Sequence, residues 1–384
     1  MRMLNFQRID LSTSDAFPRR SFLKSSAAST LGLAMLHGAA NAQEANSKSE
    51  KLPLTVAGYP YERVTAIQDG RVEIDNRQVE FETAKIGEMN QHVFSGPQTR
   101  DVTEVGLIPY LLAFCNDGFR DYLPLPIFVL KVFRHKSIFV HADRGINKPE
   151  DLRGRKVATV GYSSSGLTWV RGILQDEYGV SPEDIKWVLT EKDSAAGQTG
   201  GASKWEKLLP ASLAVEKAPA GKDESDLLLE GAVDAIFHPA EPRAYVKRHP
   251  KVRRLFGDCR AVEQRYFKKT GIYPIMHLVA IRRELAEQQP WLPKAIFNAY
   301  CKSKQLDYEE SRRIRWAYSS LPWYGQEFNE TVEFMGPNFY SYGIPKNRKA
   351  LETVFRYLHK QGLAERELKI EEVFLESTIG LEDS

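Results

Sequence analysis

Arg134-His135, His238 in the run Asp234-Ala-Ile-Phe-His-Pro, and His277 in Ile-Met-His-Leu each lie at the end of, or inside, an apolar run that reads as a strand. An imidazole titrates near neutrality and passes protons, and an arginine can clamp a carboxylate bidentately. Together they suggest proton transfer on an organic anion. Each histidine alone equally suits a hydrogen-bonded place in a core.

Ser163, Ser164 and Ser165 add a second chemistry. They follow the run Val157 to Val160 and precede the helix-compatible spacing of Leu167 to Leu174, so they fall at a helix N-terminus. Free N–H groups and the positive end of the helix dipole suit an anion there, and serine also suits plain N-capping. Tyr162-Ser163-Ser164-Ser165-Gly166 approaches a nucleophile elbow with Asp234 and His277 following in chain order. The first glycine of G-x-S-x-G is absent from that frame, which makes a hydrolase a poor match. Tyr59, Tyr61 and Arg63, at the first turn, are placed either to close over an aromatic ring or to pack on the surface. Glu104 and Tyr273, on strands beside the expected cleft, complete the candidate substrate-binding set. There is no H-E-x-x-H or other strong zinc spacing. No cofactor is expected, and a divalent metal joining the histidines is left open.

The elements that must position these groups follow a βαβα rhythm. Leu54 to Ala57, Val79 to Glu82, Val102 to Gly106 and Leu125 to Val132 read as strands, the last apolar enough to be buried on both faces. The rhythm restarts at Ile138 to Val140 and continues through Val157 to Val160, Ile185 to Leu189 and Val233 to Phe237. Ser194 to Ser203 and Lys217 to Asp226 read as loops. Tyr273 to Ile281 is a further buried strand, and the pattern beyond Pro290 is helical. The simplest architecture is α/β with a mixed, largely parallel sheet arrangement in two lobes, the second inserted into the first. Residues 43–135 and 274–384 form lobe 1 and residues 136–273 form lobe 2, with a ligand cleft between them.

Residues 1–42 read differently. Arg19-Arg20-Ser-Phe-Leu-Lys precedes a weakly apolar stretch that ends in Ala40-Asn41-Ala42, the pattern of a twin-arginine signal cleaved near Ala42. The expected location is the periplasm, with the twin-arginine translocase as a transient partner. This leader carries five Lys/Arg and two Asp/Glu, so it accounts for the whole chain's net charge of +3. The remainder is formally neutral, which argues against a nucleic-acid partner. Three cysteines without C-x-x-C spacing allow one disulfide at most and favour free thiols.

Phe133-Arg-His-Lys-Ser-Ile, Leu152-Arg-Gly-Arg-Lys-Val, Trp169-Val-Arg-Gly-Ile-Leu-Gln-Asp-Glu-Tyr-Gly-Val and Lys269-Thr-Gly-Ile-Tyr-Pro-Ile-Met-His together resemble the 4,5-dihydroxyphthalate decarboxylase family. Leu321-Pro-Trp, Met335-Gly, and Tyr342-Gly with Asn347-Arg348 extend the likeness over nearly all of the chain beyond the leader. The resemblance implies a fold similar to type 2 periplasmic binding proteins and non-oxidative decarboxylation of a hydroxylated aromatic carboxylate. In that reading Arg134 and the serine turn hold carboxylates, while His238, His277 and His135 are the candidate proton carriers. The alternative is a periplasmic solute-binding protein that passes an aromatic or other organic anion to an inner-membrane permease without chemistry. An export leader fits the receptor better than it fits a catabolic enzyme.

Overall fold

The computed structural model describes residues 51–383, apart from 200, 201 and 212. The expected leader, residues 1–42, lies outside the described residues. Two mixed sheets organise the chain. The first has the order β2-β1-β3-β11-β4, with β1 Leu52–Gly58, β2 Arg77–Thr83, β3 Val102–Gly106, β4 Tyr122–Lys131 and β11 Ile275–Arg282. The first three strands are parallel, and β11 runs antiparallel between β3 and β4.

The second sheet has the order β10-β5-β9-β6-β7-β8, with β5 Ile138–His141, β6 Lys156–Thr159, β7 Lys186–Leu189, β8 Val215–Lys217, β9 Ala235–Phe237 and β10 Val252–Arg254. The chain therefore leaves the first sheet after β4, builds the whole second sheet and returns as β11. This is the two-lobed, type 2 periplasmic-binding-protein-like α/β fold, with the second lobe inserted into the first. Where the chain crosses, the Val132 N–H donates to the Pro274 carbonyl at 3.0 Å, so the outgoing and returning segments are tied together.

β4 is buried along nearly its full length, as expected of an apolar run covered on both faces. Two stretches read as loops carry helical turns: Ala196–Thr199 lies inside the first, and the helix Glu224–Leu229 begins inside the second. The second helix was hidden by its charged start, because Asp223 and Asp226 act in a capping box and not as solvated loop residues. Cys115, Cys259 and Cys301 are free thiols. Among the described residues no helix is long and apolar enough to cross a membrane.

The helix Ser165–Tyr178 joins the lobes. It follows β6 in the chain yet packs on the helix Ile344–Lys360 of the first lobe. The Trp169 indole donates to the Ile275 carbonyl at 2.9 Å and meets the Tyr357 ring edge-on. Gly172 makes that approach possible: a Cβ there would lie 2.2 Å from the Tyr357 ring. A ring held in a packed core cannot move aside cheaply. Gly172→Ala should therefore lower unfolding stability by about 1–3 kcal/mol, the usual cost of overpacking. Urea denaturation followed by tryptophan fluorescence measures this, and an unchanged midpoint would contradict the packing described.

Candidate functional site

A cavity of about 260 Å³ lies between the sheets. Tyr59, Tyr61, Met276 and His277 line it from the first lobe, Ser164, Ser165, Asp193 and Glu206 from the second, and Arg134 from the crossing.

The first-lobe wall is built around Glu104, a β3 residue only 2% exposed. On the antiparallel pair β3/β11, Glu104 lies opposite Val279, so His277, two residues along, shares its face. The Glu104 carboxylate accepts from the Tyr61 hydroxyl at 2.8 Å, the Tyr59 N–H at 3.1 Å and His277 Nδ1 at 2.6 Å. A carboxylate at Nδ1 fixes the tautomer and leaves the Nε2 lone pair free. Nε2 has no partner among the described residues, and the ring lines the cavity. Tyr59 stacks on His277 with centroids 6.2 Å apart, and its hydroxyl accepts the Ile86 N–H at 2.9 Å. Burial, reinforced by the Glu104 charge, pushes the Tyr61 phenol well above its ordinary pKa, so it stays a donor.

Arg63 does not line the cavity. Its guanidinium lies 4.1 Å from the ring centroids of both Tyr61 and Tyr340 and donates to the Val129 carbonyl at 3.1 Å, so it supports Tyr61 from behind. Tyr273 is also outside, stacked on Phe133 at 4.6 Å. Neither is placed to touch a bound substrate.

At the crossing, Arg134 is 6% exposed and has no carboxylate within ion-pair distance among the described residues. Nη1 donates to the Pro239 carbonyl at 2.7 Å, and Nε meets the Met276 sulfur at 3.0 Å. The guanidinium lies against Gly166, where a Cβ would come within 2.9 Å of Cζ. Glycine at this position lets the charge rest on the first turn of the helix Ser165–Tyr178. Burial lowers the Arg134 pKa to about 10, which still leaves it charged at neutral pH. Glu263 attracts Arg134 only from beyond ion-pair distance, so a buried cation beside a helix N-terminus makes this end of the cavity electropositive.

The three serines divide. Ser164 is the N-cap, accepting the Leu167 N–H, and Ser165 Oγ accepts the Ile108 N–H at 3.1 Å across the lobes. Ser163 faces away: its hydroxyl donates to the Trp205 carbonyl at 2.5 Å and accepts the Leu208 N–H at 2.9 Å. It anchors the following loop and does not bind in the cavity.

Two of the three histidines also lie elsewhere. His135 packs edge-on against Phe256 and Tyr266, and burial lowers its pKa to about 4, so it is a neutral core residue. Its side chain diverges from that of Arg134 at the turn, which the sequence pairing of the two did not foresee. His238, at the end of β9, is fully buried behind the wall. Its Nε2 lies 3.0 Å from Asp193 Oδ1 and 3.5 Å from Glu224 Oε1. Asp234 accepts the Lys156 N–H and lies 3.7 Å from Arg144, remote from His277, so no Ser-His-Asp triad is assembled.

Asp193, Glu224 and His238 bring three ligand-type atoms within 4.8 Å of one another. Hydrogen bonds already satisfy them: Ser194 N–H and Thr190 donate to Glu224, Ala195 N–H donates to Asp193, and Ala240 occupies His238 Nδ1. Asp193 and Glu206, both in the cavity wall, escaped the sequence reading because they flank a segment read simply as loop. Asp193 lies just beyond the carboxyl end of β7, which was the available signal for it, whereas Glu206 sits on the later turn Lys204–Glu206.

With the geometry in place, the chain can be compared with known proteins. Residues 128–202 match the family described as NMT1/THI5 like. A protein of Comamonas testosteroni named 4,5-dihydroxyphthalate decarboxylase is 32% identical over 327 residues, covering 84% of this chain and 96% of that one. The chain belongs to the 4,5-dihydroxyphthalate decarboxylase family. A Pseudomonas putida protein of the same name is 30% identical over 218 residues, 57% of this chain and 82% of its own. Among solved structures, the periplasmic aliphatic sulphonate-binding protein SsuA of Escherichia coli aligns with a TM-score of 0.49 at 14% identity, covering 85% of this chain and 99% of that one.

This decarboxylase-family chain carries a titratable element in its wall. Burial disfavours the His238 imidazolium, but the hydrogen bond it donates to Asp193 and the Glu224 charge outweigh it, so the His238 pKa is raised. The native state then holds a proton that the unfolded chain releases first. The resulting stability is present below the ordinary histidine pKa of about 6.5 and is lost as pH rises through the folded value. In Asp193→Asn the NMR titration of His238 should move down, and the loss of stability should be larger at about pH 6 than at about pH 9. A His238 titration that Asp193→Asn leaves unmoved would contradict the pairing.

Proposed function

We propose that the protein decarboxylates a hydroxylated aromatic carboxylate of the 4,5-dihydroxyphthalate type. The observation that carries the reading is the pairing, in one cavity, of an uncompensated Arg134 with a His277 held by Glu104. Arg134 and the Ser164/Ser165 helix terminus hold substrate carboxylate, and the Tyr59 and Tyr61 rings lie against the aromatic ring. His277 Nε2 accepts the proton of a ring hydroxyl para to the departing carboxylate. The resulting phenolate pushes electron density to the carbon that bears it. That carbon is protonated, the carbon–carbon bond breaks and carbon dioxide leaves. His238, buried behind Asp193, is not a proton carrier in this scheme. It holds the wall in place.

The Arg19-Arg20 leader supports export to the periplasm through the twin-arginine translocase, and it favours a second reading. The same cavity would then capture an aromatic carboxylate and deliver it to an inner-membrane permease, with no bond broken. Purified protein incubated with 4,5-dihydroxyphthalate decides between them. Release of carbon dioxide with formation of 3,4-dihydroxybenzoate is expected, and His277→Ala should reduce kcat by about 10²–10⁴-fold while leaving the circular dichroism spectrum intact. Saturable binding without turnover would sink the enzyme and leave the receptor.

A further inference from the structure

Two carboxylates line the cavity, and they differ in one respect. Asp193 is bonded to His238, whereas among the described residues no Lys, Arg or His nitrogen lies within ion-pair distance of Glu206. Glu206 Oε2 accepts the Ser203 N–H at 2.8 Å. Its backbone is fixed by the end of β6: the Ser163 N–H donates to the Glu206 carbonyl at 3.0 Å, and a Cβ on Gly161 would lie 2.8 Å from that oxygen. Glu206 thus enters from the inserted lobe, on a positioned turn, and His277 enters from the first.

The charges in the cavity leave Glu206 no role as an anion. An aromatic dicarboxylate brings two negative charges, and Arg134 with one helix terminus offers barely that much compensation. A third, unpaired carboxylate in the same small volume would repel the ligand. Like charges sharing a site raise the pKa of the group that can take up a proton. Burial already pushes the Glu206 carboxyl upward, with hydrogen bonds from Ser203 and attraction to His277 opposing it more weakly.

We propose that Glu206 is the acid that protonates the ring carbon, and that binding of the dicarboxylate loads it with its proton. This rests on the decarboxylase reading. In the step, His277 takes the ring-hydroxyl proton and the ring carbon takes the Glu206 proton. The bond to the carboxylate then breaks, its electron pair restores the aromatic ring, and carbon dioxide departs. His277 returns its proton to the phenolate, and solvent reprotonates Glu206. One proton is consumed per turnover, as conversion of an aryl carboxylate to the arene and carbon dioxide requires.

The test uses phthalate, an unreactive dicarboxylate, in calorimetric titrations with buffers of different ionisation enthalpy. The other titratable groups lining the cavity are Tyr59, Tyr61, Arg134, Asp193 and His277. An imidazole is the one among these that ordinarily titrates near neutrality, so His277→Ala serves as the control. Across about pH 6 to about pH 9, wild type and His277→Ala should take up a proton on binding phthalate. Glu206→Gln should bind with a Kd within a few-fold of wild type and take up none. With 4,5-dihydroxyphthalate, Glu206→Gln should lose about 10²–10⁴-fold in kcat at nearly unchanged KM, and Glu206→Asp should keep part of the rate and the uptake. Proton uptake persisting in Glu206→Gln, or a kcat close to wild type, overturns the proposal. If wild type binds phthalate but releases no carbon dioxide from 4,5-dihydroxyphthalate, the acid role falls with the decarboxylase reading. Proton loading then stands or falls on the calorimetry alone.

Discussion

A carboxylate taken out of water must find donors, and Glu104 finds three within one strand turn and one neighbouring strand. Hydrogen bonds to a charged group contribute about 1.5–3 kcal/mol each, and removing one partner leaves the rest of the buried charge exposed to that penalty. This requirement organises the first-lobe wall. The antiparallel register of β3 and β11 brings the His277 ring to the carboxylate. The turn after β1 closes on it through the Tyr59 N–H and the Tyr61 hydroxyl. Behind Tyr61, Arg63 and Tyr340 form the next layer.

The opposite wall solves a different electrostatic problem. Arg134 is buried with a carbonyl and a sulfur as neighbours and no anion, an expensive arrangement unless a ligand completes it. Gly166 allows the guanidinium to reach the helix terminus, and Ser165 closes the joint by taking an N–H from the helix that begins after β3. One wall thus presents a histidine whose Nδ1 is held by a carboxylate, and the other a buried guanidinium at a helix terminus.

Much of this was legible in the sequence, and the failures share a cause. The strands came through because apolar runs such as Leu125 to Val132 fill a sheet buried on both faces, and the inserted-lobe architecture followed from their rhythm. Arg134, His277, Ser164 and Ser165 line one cavity, as strand ends and helix starts have predictable outlooks. His135, Ser163, Arg63 and Tyr273 lie outside its lining because neighbours in sequence at a turn need not share a direction. Whether a side chain faces inward there depends on what packs behind it, as Phe256 does for His135 and Tyr340 for Arg63. Asp193 and Glu206 were overlooked because loop residues show no periodicity.

The helix Ser165–Tyr178 belongs to the inserted lobe by chain order and to the first lobe by packing, with Trp169 and Gly172 sunk against Ile275 and Tyr357. The lobes therefore share a common interior along that helix, beside the cavity between them. Swinging them apart would wet that interior, a cost that grows with the apolar surface the two lobes share. Elsewhere along the cavity the lobes meet more lightly, where the Tyr59 hydroxyl reaches the Gln198 carbonyl at 3.5 Å. The joint between the lobes is thus uneven, welded along the helix and light at Tyr59.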